Sequence, residues 1–181
     1  MGARAHSSNA RQMGWLSFCH HARERSAARV RDYGRVFARR ASLTMPKAFP
    51  QKSKGYHPFA ELIGLDFSRV EQGTSQCVLS VKAELLNPQR VLHGAVLYAM
   101  ADTGMGGALY SVLDDDELCA TLEIKMMYFQ PMRSGELVCD TKILRRSKHF
   151  AMLESTITQN QQQAAQATGT FAIWQTNART E

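Results

Sequence analysis

Asp102 stands beside an otherwise apolar run, Leu97-Tyr98-Ala99-Met100-Ala101, eight residues after a His93-Gly94 pair. A carboxylate on an apolar face is costly unless it has a hydrogen-bonding partner or a catalytic task. Such a group can activate water as a general base or attack a carbonyl as a nucleophile. Gly94 offers the complementary element at the start of the same helix. The first backbone N–H groups of a helix have no intrahelical acceptor and lie at the positive end of its dipole. A carbonyl oxygen set against the Gly94 N–H would be polarised there, and losing one such donor removes about 3–4 kcal/mol of transition-state stabilisation. Pro88 fixes the backbone just ahead, and Gly94 permits close approach of a ligand or another backbone. On spacing alone a structural role for Asp102, facing solvent or capping a neighbouring loop, is the stronger reading.

The elements that must position these groups follow from the apolar pattern. Between His93 and Leu113 the residues Val96, Leu97, Met100, Ala101, Met105, Ala108, Leu109 and Val112 recur at helical spacings, which predicts a helix with a wide buried face. Before it, Phe59–Ile63 reads as one or two helical turns ending at Gly64. Leu65–Glu71 and Ser75–Val81 alternate around Gln72-Gly73 as a hairpin. After it, strands are expected over Cys119–Phe129, Leu137–Leu144, Phe150–Thr158 and Ala164–Trp174. Asp114–Glu117 reads as a solvated turn and Gln159–Gln163 as a polar hairpin tip. Two strands, one long helix and four strands indicate an α+β layer architecture, not a doubly wound one.

The chain of 181 residues has the size of one ordinary domain, and 44% hydrophobic content is enough for a single core. Its net charge of +6 would raise nucleic acid or an anionic membrane as partners. The charge, however, is concentrated. Residues 1–44 hold nine arginines against Glu24 and Asp32, a net +7, and the remaining 137 residues carry −1. Neither nucleic acid nor membrane is therefore expected as a partner. The Arg-rich segment 1–44 reads as a disordered extension, followed by a lead-in over 45–58, a domain over 59–175 and a tail over 176–181. Three origins compete for the extension: an early start codon with Met45 the true initiator, a mitochondrial-type transit peptide, and a functional basic arm. The chain is accordingly expected in the cytoplasm, or in mitochondria if the transit-peptide reading holds.

Cys19, Cys77, Cys119 and Cys139 lie far apart with no CxxC pair or Cys/His cluster, so they read as reduced thiols, three of them in strands, and no metal site is expected. No apolar run approaches the ~18 residues of a membrane span. Neither a GxSxG elbow nor a P-loop is present. His57 and His149 fall in expected surface turns, where solvation is the ordinary state.

The run Asn87-x5-His93-Gly94-x7-Asp102, then Thr121-Leu122-Glu123-Ile124-Lys125-Met126-Met127-Tyr128-Phe129-Gln130-Pro131 and Gly135-Glu136, resembles the PaaI-like hotdog thioesterases. The resemblance spans about residues 56–174. It implies a hotdog fold, an antiparallel sheet wrapped around one long central helix, with two subunits joined edge to edge and active sites at their interface. By that resemblance Asp102 is the catalytic carboxylate, as nucleophile or as base, and Gly94 the oxyanion donor. Asn87 of the other subunit positions the water or the carboxylate, His93 shapes the helix start, and the Thr121 hydroxyl orients the attacking water. Many relatives have a second glycine where this chain has Ala95, and the methyl group there narrows the approach to the thioester. Gly104, Gly106 and Gly107 thin the helix after Asp102, either for an acyl group or, the stronger reading, for close packing on the sheet.

The activity implied is hydrolysis of a medium-chain or aromatic acyl-CoA without cofactor, in a homodimer or homotetramer. CoA carries phosphates, so cations are expected near the entrance: Arg90, Arg145, Arg146 and Lys148, with His149 and Arg133 as further candidates; an ordinary basic hairpin tip is the competing explanation. Two other functions stand beside hydrolysis. One is a non-catalytic acyl-CoA-binding hotdog domain, against which Asp102 argues. The other is a hotdog dehydratase, weakened by the absence of the separate Asp/His pattern. An uncovered edge strand further predicts at least a homodimer.

Overall fold

Gly64 ends the first helix by taking up the left-handed conformation, φ 74°, that only glycine adopts without strain. A computed structural model of the chain describes residues 55–176. The extension 1–44, most of the lead-in and the last five residues lie outside the described residues. Helix α1 (Pro58–Ile63) opens with Pro58 at its first position, and the His57 side chain caps it by accepting the Ala60 N–H at 3.0 Å. Strands β1 (Leu65–Glu71) and β2 (Thr74–Ser80) follow as a hairpin. Its two turn residues, Gln72 and Gly73, both have positive φ, the geometry that matches the twist of a tight hairpin. A 3-10 turn over Ala83–Leu85 leads towards the central helix α2 (Gly94–Tyr110). Strands β3 (Glu117–Tyr128), β4 (Glu136–Arg146), β5 (Phe150–Gln159) and β6 (Gln162–Gln175) complete the domain.

The six strands form one antiparallel sheet in the order β1-β2-β4-β5-β6-β3, wrapped on α2. This is the expected sheet around one long helix. Every second residue of the inner strands faces the helix: Cys77 and Leu79 on β2, Leu137 and Cys139 on β4, Leu153 and Ile157 on β5, Ala165 and Ala167 on β6. They meet Leu97, Met100, Met105 and Leu109 of α2, which are almost wholly buried. Truncating such a side chain to Ala costs about 2–5 kcal/mol.

A polar seam crosses this core where α2 meets β2 and β4. Ser75 Oγ donates to the Gly104 carbonyl at 2.7 Å, Thr141 Oγ1 and Ser155 Oγ share a hydrogen bond of 2.7 Å, and the Cys139 thiol points at the Met100 carbonyl at 3.7 Å. Buried hydroxyls need such partners; the bonds of Ser75 and Cys139 tie the helix to the sheet, and the Thr141–Ser155 bond ties β4 to β5.

Three expectations are corrected. The helix ends at Tyr110, not Leu113; the apolar pattern continues because Leu113 still packs in the core after the backbone has turned through Ser111. Glu117 is not part of a solvated turn: it starts β3, is buried, and forms an ion pair with Arg146. His57 is not in a solvated turn either, since capping α1 leaves it half-buried. Cys77, Cys119 and Cys139 lie in strands, as expected, and Cys77 and Cys139 are free thiols. Among the described residues no helix is long and apolar enough to cross a membrane.

Candidate active site

Asp102 lies half-buried on the face of α2 that turns towards β3. The Thr121 hydroxyl on β3 donates to its Oδ1 at 2.7 Å. A register shift in the β3–β6 pairing falls between Thr121 and Glu123. Such a bulge re-aims the side chains beside it, and here it sits next to the residue that reaches the carboxylate. Asp102 thus has the hydrogen-bonding partner that a carboxylate on an apolar face requires.

Asp102 and Thr121 open onto a cavity of about 340 Å³. Five aromatic residues line it, Tyr56, Phe59, Phe67, Tyr110 and Phe171, with His57 and Gly106 among the other walls. His57 Nδ1 is occupied as the acceptor of the α1 cap. The Tyr56 hydroxyl has its pKa raised, first by burial and then by the neighbouring Tyr110 hydroxyl, to which it is hydrogen-bonded. None of these aromatic residues was singled out from the sequence. Phe171 falls in the expected last strand, whereas Tyr56 and His57 belong to the expected lead-in over 45–58 and Phe59 to a helical stretch too short to show which face is covered.

The start of α2 forms a second cluster. Asn87 Oδ1 accepts the backbone N–H groups of Gln89 and Val91 at 3.0 and 3.2 Å, which holds its own loop. Arg90, at the tip of that loop, has a left-handed φ of 61° and is exposed. His93 caps the helix, its Nδ1 accepting the Ala95 N–H at 3.1 Å. The Gly94 N–H has no acceptor among the described residues. The Tyr128 ring lies against Gly94, and its hydroxyl donates to the Gly94 carbonyl at 3.3 Å.

Asp102 is separated from Gly94 by about 12 Å of helix rise, and Asn87, His93 and Gly94 do not line the Asp102 cavity. One chain thus brings Asp102 and Thr121 together and holds Asn87, His93 and Gly94 together elsewhere. Of the expected cations, Arg90, Arg145 and Lys148 are exposed. Arg146 is not: its guanidinium turns inward to Glu117, with side-chain exposures of 17% and 8% for the pair, so its charge is already matched. Among the described residues no group of His, Cys, Asp and Glu is arranged to hold a metal ion.

Residues 89–165 match the family model of the thioesterase superfamily. The solved structure of a conserved protein from Pseudomonas aeruginosa is 30% identical and superposes with a TM-score of 0.63 over 68% of this chain and 96% of that one. A mutant of the phenylacetic acid degradation protein PaaI from Thermus thermophilus is 25% identical, with a TM-score of 0.60 over 64% of this chain and 97% of that one. A curated protein of Saccharolobus solfataricus, described as a candidate esterase, is 26% identical over 121 residues, 66% of this chain and 80% of its own length.

Proposed function

The chain belongs to the thioesterase superfamily, in its PaaI-like hotdog branch, and on that premise we propose that it hydrolyses a medium-chain or aromatic acyl-CoA to the free acid and CoA. It is a thioester hydrolase. The single observation that supports the chemistry is the Asp102–Thr121 pair at the mouth of an aromatic-lined cavity. A carboxylate held by a hydroxyl beside an apolar acyl site has what water activation needs.

In the general-base route Asp102 takes a proton from water as the oxygen attacks the thioester carbonyl. The carbonyl oxygen becomes an oxyanion, held by the Gly94 N–H. Collapse of that intermediate breaks the C–S bond, and the thiolate leaves with the proton from Asp102. In the nucleophilic route the carboxylate itself attacks and CoA thiolate leaves. Water then cleaves the mixed anhydride, which restores Asp102. Thr121 orients the carboxylate in either route.

Asn87, His93 and Gly94 complete this site from a second copy of the chain. Strand β3 is the edge that a second copy would cover, since among the described residues it pairs only with β6 and it exposes Leu122, Met127 and Tyr128. Arg90, Arg145 and Lys148, which are exposed, receive the CoA phosphates; Arg146 turns inward to Glu117 and is left out of this set. A reducing compartment such as the cytoplasm suits Cys77 and Cys139, which oppose each other across β2 and β4 as free thiols.

The test is thiol release from short, medium, long and aromatic acyl-CoAs by the purified protein beside Asp102→Asn. Hydrolysis that falls about 100-fold or more in the variant, the scale of a lost acid or base, supports the reading. Folded protein that binds acyl-CoA and cleaves none of them would make it a binding domain instead.

A further inference from the structure

We propose that Gly106 sets the size of the acyl group that the site accepts; the inference rests on the thioesterase reading above. Helix α2 carries three glycines just beyond Asp102, and their surroundings give them different tasks. A Cβ on Gly104 would stand 2.7 Å from Thr141 Oγ1, and one on Gly107 would stand 2.6 Å from the Phe67 ring. Those two glycines are required by packing. A Cβ on Gly106 would meet nothing within 4 Å, although the residue is half-buried and lines the cavity. The open space beside Gly106 is therefore the cavity itself.

Asp102, Gly106 and Tyr110 follow one another at intervals of four and so form one row on the helix, each step advancing about 6 Å along its axis. Tyr110, hydrogen-bonded to Tyr56, stands at the far end of that row. An acyl group with its carbonyl at Asp102 that extends along the row passes over Gly106 before it reaches Tyr110. An acetyl group ends short of Gly106, whereas a hexanoyl chain or an arylacetyl ring lies across it. A methyl group at position 106 would take volume from the substrate and not from a neighbouring residue. Alanine is the better helix former, so glycine here gives up helix stability and leaves the cavity open.

The test compares kcat/KM for acetyl-, hexanoyl- and phenylacetyl-CoA in the full chain, in Gly106→Ala and in Gly106→Val. The expected result is that the ratio of phenylacetyl or hexanoyl to acetyl hydrolysis falls at least tenfold in Gly106→Val and by a smaller factor in Gly106→Ala. A thermal midpoint for Gly106→Ala at or above that of the unmodified chain keeps the comparison valid should the valine variant fail to fold. Parallel loss on all three substrates, or an unchanged ratio, overturns the role of Gly106 while hydrolysis by the unmodified chain leaves the thioesterase reading standing. An unmodified chain that cleaves none of the three and no other acyl-CoA overturns both.

Discussion

The Thr121 hydroxyl donates a 2.7 Å hydrogen bond to Asp102 Oδ1, joining the edge strand to the central helix at the carboxylate. A hydrogen bond to a charged group contributes about 1.5–3 kcal/mol. Replacing Thr121 with Val keeps the shape and removes the donor, so kcat should fall roughly 10- to 100-fold, with Thr121→Ser restoring most of it. Steady-state kinetics of the two variants check this. Full activity in Thr121→Val with a loss in Thr121→Ser would show that the methyl group matters and the hydroxyl does not.

Gly94 permits a clean deletion of one backbone donor. It occupies the first helical position, where proline is tolerated, and His93 before it is extended at φ −63°, ψ 131°, as a residue preceding proline must be. Gly94→Pro removes the N–H proposed to hold the oxyanion. Any added Cβ would also stand 3.3 Å from the Tyr128 ring, so Gly94→Ala serves as the steric control. The proline variant is expected to lose about 100- to 1000-fold in kcat, with the alanine variant between it and the unmodified chain. Matching rates in the two variants would assign the effect to Tyr128.

The three helix glycines should differ in stability as they differ in surroundings. Thr141, which would meet a Cβ on Gly104, is buried and tied to Ser155, so it cannot swing aside cheaply. Gly104→Ala and Gly107→Ala are each expected to destabilise by about 1–3 kcal/mol through overpacking. Gly106→Ala should instead stabilise by about 0.5–1 kcal/mol, from helix propensity and a less flexible unfolded chain. Denaturant titrations of the three variants read this directly, and a destabilised Gly106→Ala would contradict the open space beside that residue.

The same glycines mark where the sequence stopped being informative. Their presence was visible, but whether each met a strand residue or a cavity depends on partners 35 to 40 positions away, such as Thr141 for Gly104 and Phe67 for Gly107. The strands and the central helix were legible because alternation and helical spacing are local signals, and so were the tight turns at Gln72-Gly73 and Asn160-Gln161, the second lying within the expected polar tip. Asp102 drew notice as a carboxylate among apolar residues, and Thr121 only through the family resemblance. The ion pair of Glu117 with Arg146 was hidden because both residues sat in runs of like charge that read as solvated. The aromatic wall from Tyr56 and Phe59 was hidden because a proline-bounded segment carries no periodicity to show which way its side chains turn.

Two buried thiols give the fold an alkaline limit. Burial pushes the Cys139 thiol from 9.0 up to about 11 and raises that of Cys77 as well. In the unfolded chain both ionise near their ordinary value, so above about pH 9 the unfolded state loses protons that the folded state keeps, and stability falls as pH rises. Stability from Cys139 is present in full below pH 9.0 and is lost progressively towards about 11. Urea midpoints at pH 8 and pH 10.5 should show the decline, and a Cys77→Ala, Cys139→Ala double variant should reduce its slope. Both thiols should also resist alkylation in the native protein until it unfolds.

The two edges of the sheet differ in length and in exposed apolar side chains, which supports β3 as the edge proposed for a second copy. Strand β1 has seven residues, carries Asp66, Arg69 and Glu71, and is interrupted by a register shift between Phe67 and Arg69. Both edges carry charged residues and a register shift, but a short edge resists pairing more than a long one that exposes apolar side chains. Strand β3 has twelve residues, and Leu122 and Met127 on it are 57% and 51% exposed. Light scattering at micromolar concentration should therefore show at least a dimer, and Leu122→Glu with Met127→Glu should shift it to monomer. Because Asn87 and Gly94 are proposed to reach Asp102 from the second copy, the monomeric variant should lose hydrolysis by a factor comparable to Gly94→Pro while keeping its circular-dichroism spectrum. A monomeric variant that hydrolyses at the unmodified rate would place the whole site within one chain and remove the proposed roles of Asn87 and Gly94.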